Sequence, residues 1–190
     1  MITPDTIVSF WDKAGPEAWY KKDAAFDAQI RALFLPVWEA ACTGALRDWM
    51  DSAQGCLARL ILLDQFPRNM FREDPRAFAT DGLAVETAHH MIAQGWDSDI
   101  AEPMRQFCFM PFMHSEALAD QDYAVEVFET RMEEGDNDLH AHVHREIIRR
   151  HGRFPYRNRA LGRANTSAEQ SFLDDGGYGA ILNELKDGQA

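Results

Sequence analysis

Basic residues are scarce in this chain. Nineteen Lys and Arg stand against 31 Asp and Glu, a formal net charge of −12, and a field of that sign repels polyphosphate and anionic headgroups. The expectation is therefore no nucleic-acid partner and no membrane partner. Long apolar runs are missing too: no stretch of 18 apolar residues occurs, and Met1-Ile2-Thr3-Pro4-Asp5 offers neither a basic start nor an apolar segment for secretion. This composition predicts a cytoplasmic protein. Cys42, Cys56 and Cys108 are odd in number, form no C-x-x-C pair and have apolar neighbours, so buried free thiols are expected rather than a nucleophile or ligand. Alternating β-branched runs bounded by turns are absent as well. What is abundant is core material: 46% hydrophobic residues, with 5 Trp and 12 Phe in 190 residues, enough for one packed domain.

Helical punctuation recurs along the chain. Pro4-Asp5 opens a first helix, and Asp23 opens a second with Phe26, Ile30, Leu33, Phe34 and Val37 at helical spacing, kinked or restarted at Pro36. Ser52 precedes a segment from Ala53 to Phe66, apolar nearly all round, which predicts a buried central helix ended by Pro67, with Leu60 and Leu63 in the core. Asp74-Pro75 starts a helix running to Gln94, where Gly95 stops it. Asp99 and Pro103 open a short helix, Pro111 turns a corner before a helix from 113 to 132, and Asp136 or Asn137 caps another that Gly152 ends. Thr166 and Glu169 form a capping box for a last short helix. The fold class is all-α, with about eight helices in antiparallel pairs. Residues 1–175 are expected as one domain and 176–190 as a weakly held tail.

Two loops echo each other: Asp64-Gln65-Phe66-Pro67-Arg68-Asn69, and Gly152-Arg153-Phe154-Pro155-Tyr156-Arg157-Asn158. Each sets Phe-Pro after a helical pattern and an Arg-Asn pair beyond it, a helix exit carrying polar groups. Basic residues gather here: Arg145, Arg149, Arg150, Arg153, Arg157, Arg159 and Arg163 around the second loop, Arg68, Arg72 and Arg76 around the first. Such arginines either pair with the protein's own carboxylates, Asp64 and Glu116 among them, or converge on an anionic ligand. His114-Ser115-Glu116 is placed at a helix start, where the dipole lowers a histidine's pKa. His140 and His144 share a helix face and His142 points away. No third ligand is set by spacing and H-E-x-x-H is absent, so no metal is expected. Ser115 lacks a G-x-S-x-G elbow and its neighbour His114 points elsewhere, which disfavours a serine triad.

Phe10-Trp11, Phe26-Asp27, Leu63 to Asn69, Phe78-Ala79-Thr80-Asp81, Met110-Pro111, His114-Ser115-Glu116, Asp120-Gln121, His144, Gly152 to Pro155, Arg157-Asn158 and Leu161-Gly162-Arg163 with Thr166 and Glu169 occur in order over nearly the whole chain. In these it resembles the bacterial family called domain of unknown function 924. The resemblance implies a compact helical fold similar to tetratricopeptide-repeat (TPR) superhelices; it does not supply a reaction. Family members usually carry Phe at position 151 and His at 156, where this chain has His151 and Tyr156; a tyrosine, with pKa near 10, is a poor proton shuttle at neutral pH.

Two functions compete. In one, a pocket for a small anionic metabolite serves a hydrolase or transferase reaction: Arg68, Asn69, Arg153, Arg157 and Asn158 hold the ligand, His114 or His144 moves a proton, and Asp64 or Glu116 orients it, with no cofactor. In the other, a TPR-like module binds a peptide or protein, and the same residues form a structural polar network. Either way a circular dichroism spectrum should be dominated by helix; a dominant strand signature would overturn the all-α assignment.

Overall fold

The computed structural model describes residues 2–133 and 135–188. About three quarters of the described residues are helical and no strand occurs among them, so the protein is all-α. No helix among them is long and apolar enough to cross a membrane. The chain divides into two compact units, Met1–Pro111 and Phe112–Ala190.

In the first unit Thr3 caps α1 (Pro4–Ala14) through a capping box with Thr6, and a short α2 (Pro16–Trp19) leads to α3 (Ala24–Cys42), whose first N–H groups bond Asp23. Helix α3 continues through Pro36 instead of restarting there. The rings of Trp11, Trp19, Phe26, Phe34, Phe66 and Phe107 pack at centroid distances from 4.7 to 6.1 Å, and Trp19 Nε1 donates to the Trp11 carbonyl at 2.7 Å. Large aromatic areas removed from water carry this core. Helix α4 (Ala53–Leu60) follows a 3-10 turn, Arg47–Asp51. It approaches that turn so closely that a Cβ on Gly55 would lie 2.0 Å from the Trp49 carbonyl oxygen. Arg59, 2% exposed, donates to Thr87 Oγ1 at 3.0 Å and to the Leu46 carbonyl at 3.2 Å, tying the turn to the helix. Leu60 and Leu63 are both fully buried.

The predicted stop at Pro67 does not occur. A π-helical turn, Ile61–Gln65, widens the helix and the chain continues as α5 (Phe66–Met70) with Pro67 in its first turn. Proline clashes with the carbonyl four residues back and has no N–H to offer it; here that carbonyl belongs to Leu63. A wider turn relieves the clash, and Thr80 Oγ1 donates to the Leu63 oxygen at 2.6 Å while accepting from Trp38 Nε1 at 3.2 Å. The same bond explains a second departure. The helix expected over 74–94 is split into a 3-10 turn, Pro75–Phe78, and α6 (Asp81–Ala93), because Thr80, the residue before α6, turns its side chain to Leu63 and makes no cap bond.

Cys56 and Cys108 are buried as expected, and burial raises both thiols, Cys56 to about 11. Cys42 is exposed instead, since it ends α3 where the chain turns through Thr43 and Gly44.

In the second unit the helix predicted over 113–132 is two helices, α7 (Met110–His114, begun just before the unit boundary) and α8 (Leu118–Arg131). Between them Gln121 Nε2, fully buried, donates to the carbonyls of Phe112, Met113 and Ser115 at 3.2, 2.7 and 2.6 Å. A side chain thus satisfies the oxygens that a continued helix would have used. Gly152, at φ 69°, ends α9 (Asn137–His151) in the left-handed conformation, and the Thr166–Glu169 capping box starts α10 (Ser167–Asp174). The segment expected as a loose tail carries α11 (Tyr178–Gly188). Its Ile181 is buried with Val143, Ile147, Ile148 and Phe154, and Tyr178, Leu182 and Leu185 pack against that cluster. Residues 189 and 190 lie outside the described chain.

Thr80→Val should destabilise the protein by about 2 kcal/mol in denaturant unfolding, because it strands the buried Leu63 oxygen and Trp38 N–H. Thr80→Ser should recover most of the loss. Equal midpoints for Val and wild type would show that Leu63 needs no partner.

Candidate functional site

Asp64, Arg68 and Asn69 lie together in the first unit, on and after the π-helical turn. Arg68 Nη1 is 3.1 Å from the buried Asp64 carboxylate and also donates to the Asp64 carbonyl. Its Nη2 is 3.0 Å from Asp81, and its guanidinium lies 5.8 Å from the Phe78 ring centre. Gln65 Nε2 donates to Asp64 Oδ2 at 2.6 Å. Asn69 Nδ2 donates to Asp27 at 2.8 Å, and Arg72 grips the same carboxylate from two nitrogens. Arg76 holds Asp74 in the same two-pronged way at 2.9 and 2.8 Å. Arg68, Arg72 and Arg76 therefore each have a carboxylate partner.

The other site residues meet in the second unit around Phe154, which is fully buried. Glu116 accepts from the Phe154 N–H at 2.8 Å, and both its oxygens accept from Arg163 at 2.7 and 2.9 Å. Arg163 also donates to Asn158 Oδ1 at 2.8 Å and to the Phe154 carbonyl at 3.2 Å. Arg153 donates to both oxygens of Glu169, at 2.6 and 2.9 Å, and to the Ala164 carbonyl at 2.9 Å. Asn158 Nδ2 bonds Asn165 at 2.8 Å. The loop from 152 to 169 is thus pinned by two bidentate arginine–glutamate pairs, the strongest polar contact available to these side chains.

Aromatic contacts place the remaining groups. The Arg157 guanidinium, on a residue 6% exposed, lies 4.5 Å from the Phe154 ring centre, and Tyr156 stacks on the same ring at 5.3 Å. The His144 imidazole meets Phe154 edge to face at 5.2 Å, and the His114 ring is 6.1 Å from His144. His114 ends α7 instead of starting a helix, so the expected N-terminal dipole does not act on it. Ser115 Oγ accepts from the Ala117 N–H at 3.1 Å and belongs to the turn. His142 pairs with Glu129 at 2.8 Å on α8, away from His140 and His144, as the helix spacing requires. Among the described residues no group of three or more His, Cys, Asp and Glu is arranged to hold a metal ion.

A model of the family described as "Bacterial protein of unknown function (DUF924)" matches residues 7–177. The chain belongs to that family. It is similar to a solved structure from Agrobacterium tumefaciens, the protein of unknown function ATU0120, at 41% identity and a TM-score of 0.87, over 91% of this chain and 97% of that one. No curated protein matches it.

Within this DUF924 chain two residues of the site were not singled out by sequence reasoning. Arg163 stands in a basic run and Glu169 in a capping box, and both belong to the family pattern without a site role assigned to them. Both prove to be the partners that neutralise the carboxylate or guanidinium of a candidate. Burial works against ionised Glu116, yet Arg163 and the Phe154 N–H outweigh it and hold the carboxyl below its ordinary range. Arg153, with the Thr166 N–H, holds Glu169 lower still. A carboxyl whose native pKa is depressed contributes stability above its unfolded value, about 4.3, and loses it as pH falls toward the native value. Glu169→Gln should therefore lower Tm at pH 7 by about 2–4 °C, and the gap should narrow as pH is lowered from about 5 to 3. A gap independent of pH would show that the Arg153 pairing contributes nothing.

Proposed function

We propose that the protein binds a small anionic metabolite, a phosphate or carboxylate, beside the Phe154 ring of its second unit, and uses His144 or His114 to move a proton in a hydrolysis or group transfer. One observation carries this: an imidazole and a guanidinium, those of His144 and Arg157, flank one buried aromatic ring, with a second imidazole 6.1 Å from the first. Arg157 supplies fixed positive charge on an aromatic face, and a histidine is the side chain suited to proton transfer near neutral pH. Glu116, Arg153, Asn158, Arg163 and Glu169 hold the loop in place, as preorganised binding demands. Asp64, Arg68 and Asn69 brace the π-helical turn in the first unit. The setting we assign is the bacterial cytoplasm.

A thermal-shift series with inorganic phosphate, pyrophosphate and succinate tests the proposal. A probe at 100 times its Kd stabilises by about 2.7 kcal/mol, a rise in Tm of about 5–10 °C for a chain of this size. His144→Gln and Arg157→Gln should remove the rise while keeping the helical spectrum. The site idea fails if no probe moves the wild-type Tm, or if both variants respond as wild type does. Peptide binding without any response to small anions would favour the TPR-like module instead.

A further inference from the structure

The match to the family ends at residue 177, and the next residue, Tyr178, opens α11. Its ring meets the His144 imidazole edge to face at 5.2 Å. It also stacks on His140 at 6.0 Å, with an interplanar angle of 19°, and its hydroxyl bonds His140 Nδ1. On the far side of that imidazole, His140 Nε2 is 3.7 Å from Asp136 Oδ2. Further along α11, Ile181, Leu182 and Leu185 pack with Val143, Ile147 and Ile148 of α9, and Arg150 bridges to Glu184 at 3.0 Å.

Burial, helped by the charge of Asp136, pushes the Tyr178 phenol up to about 12, so at neutral pH the hydroxyl keeps its proton. The hydroxyl bond to His140 and the packing of α11 on α9 restrain the Tyr178 ring. His144 meets that ring and the Phe154 ring, each at 5.2 Å, and His114 at 6.1 Å.

We infer that α11 is part of the anion site and that Tyr178 is a positioning residue for His144, held by His140 and Asp136. The inference rests on the proposed role of His144 and extends the site past the matched family region to residues that a loose tail would not supply. Partners that orient a functional histidine are worth about tenfold or more in ligand affinity where they have been removed from metal sites, and a loss of that size is expected here.

The test uses the full chain, with inorganic phosphate as probe and histidine NMR titrations assigned through His144→Gln and His140→Gln. In the wild type, nuclear Overhauser contacts between the Tyr178 ring protons and the His144 ring are expected, and their absence overturns the inference whatever the variants do. Tyr178→Met should weaken phosphate binding about tenfold and shift the His144 titration midpoint. Tyr178→Phe should leave His144 and phosphate affinity near wild type but shift His140, which loses its hydroxyl partner. Leu185→Ala, which loosens α11 without touching the ring, should lower Tm and leave the His144 midpoint in place. If Tyr178→Met folds and keeps both the wild-type midpoint and affinity, Tyr178 does not position His144. If the wild type binds no phosphate, the proposed function fails, and the His144 midpoint alone still decides the role of Tyr178.

Discussion

Phe154 is held from every direction its atoms offer. Glu116 takes its N–H, Arg163 approaches its carbonyl, and its ring is packed by His144, Tyr156 and Arg157 and buried among Val143, Ile147, Ile148 and Ile181. The Gly152 turn that ends α9 delivers the residue to this position. Because both the backbone and the ring of one residue are restrained, the groups that lean on it inherit a defined place. Rigid support of this kind separates a preorganised polar site from a loop that merely happens to be basic.

Charge pairing explains why so acidic a chain concentrates arginine at two loops. In the first unit Arg68, Arg72 and Arg76 each meet a carboxylate, and in the second Arg153 and Arg163 meet Glu169 and Glu116. Bidentate pairing needs a planar fork, which lysine lacks. Partly exposed pairs add little stability one by one. Here their geometric effect is larger, because the pairs of Arg72, Arg153 and Arg163 each hold a loop to a distant segment of the same unit and remove a freedom the backbone would otherwise keep.

The two Phe-Pro segments look alike in sequence and behave differently. Pro67 sits inside a helix that widens to admit it, with Thr80 serving the abandoned Leu63 oxygen. Pro155 begins a 3-10 turn after a left-handed glycine. The local chemistry of proline is the same in both places. One helix widens to admit its proline, with Thr80 serving the freed carbonyl, whereas the other has already ended at Gly152 before its proline is reached.

Local signals in the sequence determined the all-α class, the caps at Asp23, Ser52 and Thr166, the stops at Gly95 and Gly152, and the burial of Leu60 and Leu63, since each depends on a few neighbouring residues and on periodicity. The i, i+4 placement of His140 and His144 on one face was legible for the same reason. Tertiary structure alone decided what long-range partners impose: the helix that survives Pro67, the break at Thr80, the interruption closed by Gln121, and the packing of α11 against α9. It also decided which carboxylate each arginine takes, as in Arg163 with Glu116, 47 positions apart. A capping residue must lie within a turn of the helix it caps, so sequence reveals it. A hydrogen-bond acceptor for a stranded carbonyl or guanidinium can come from anywhere along the chain, and only folding selects it.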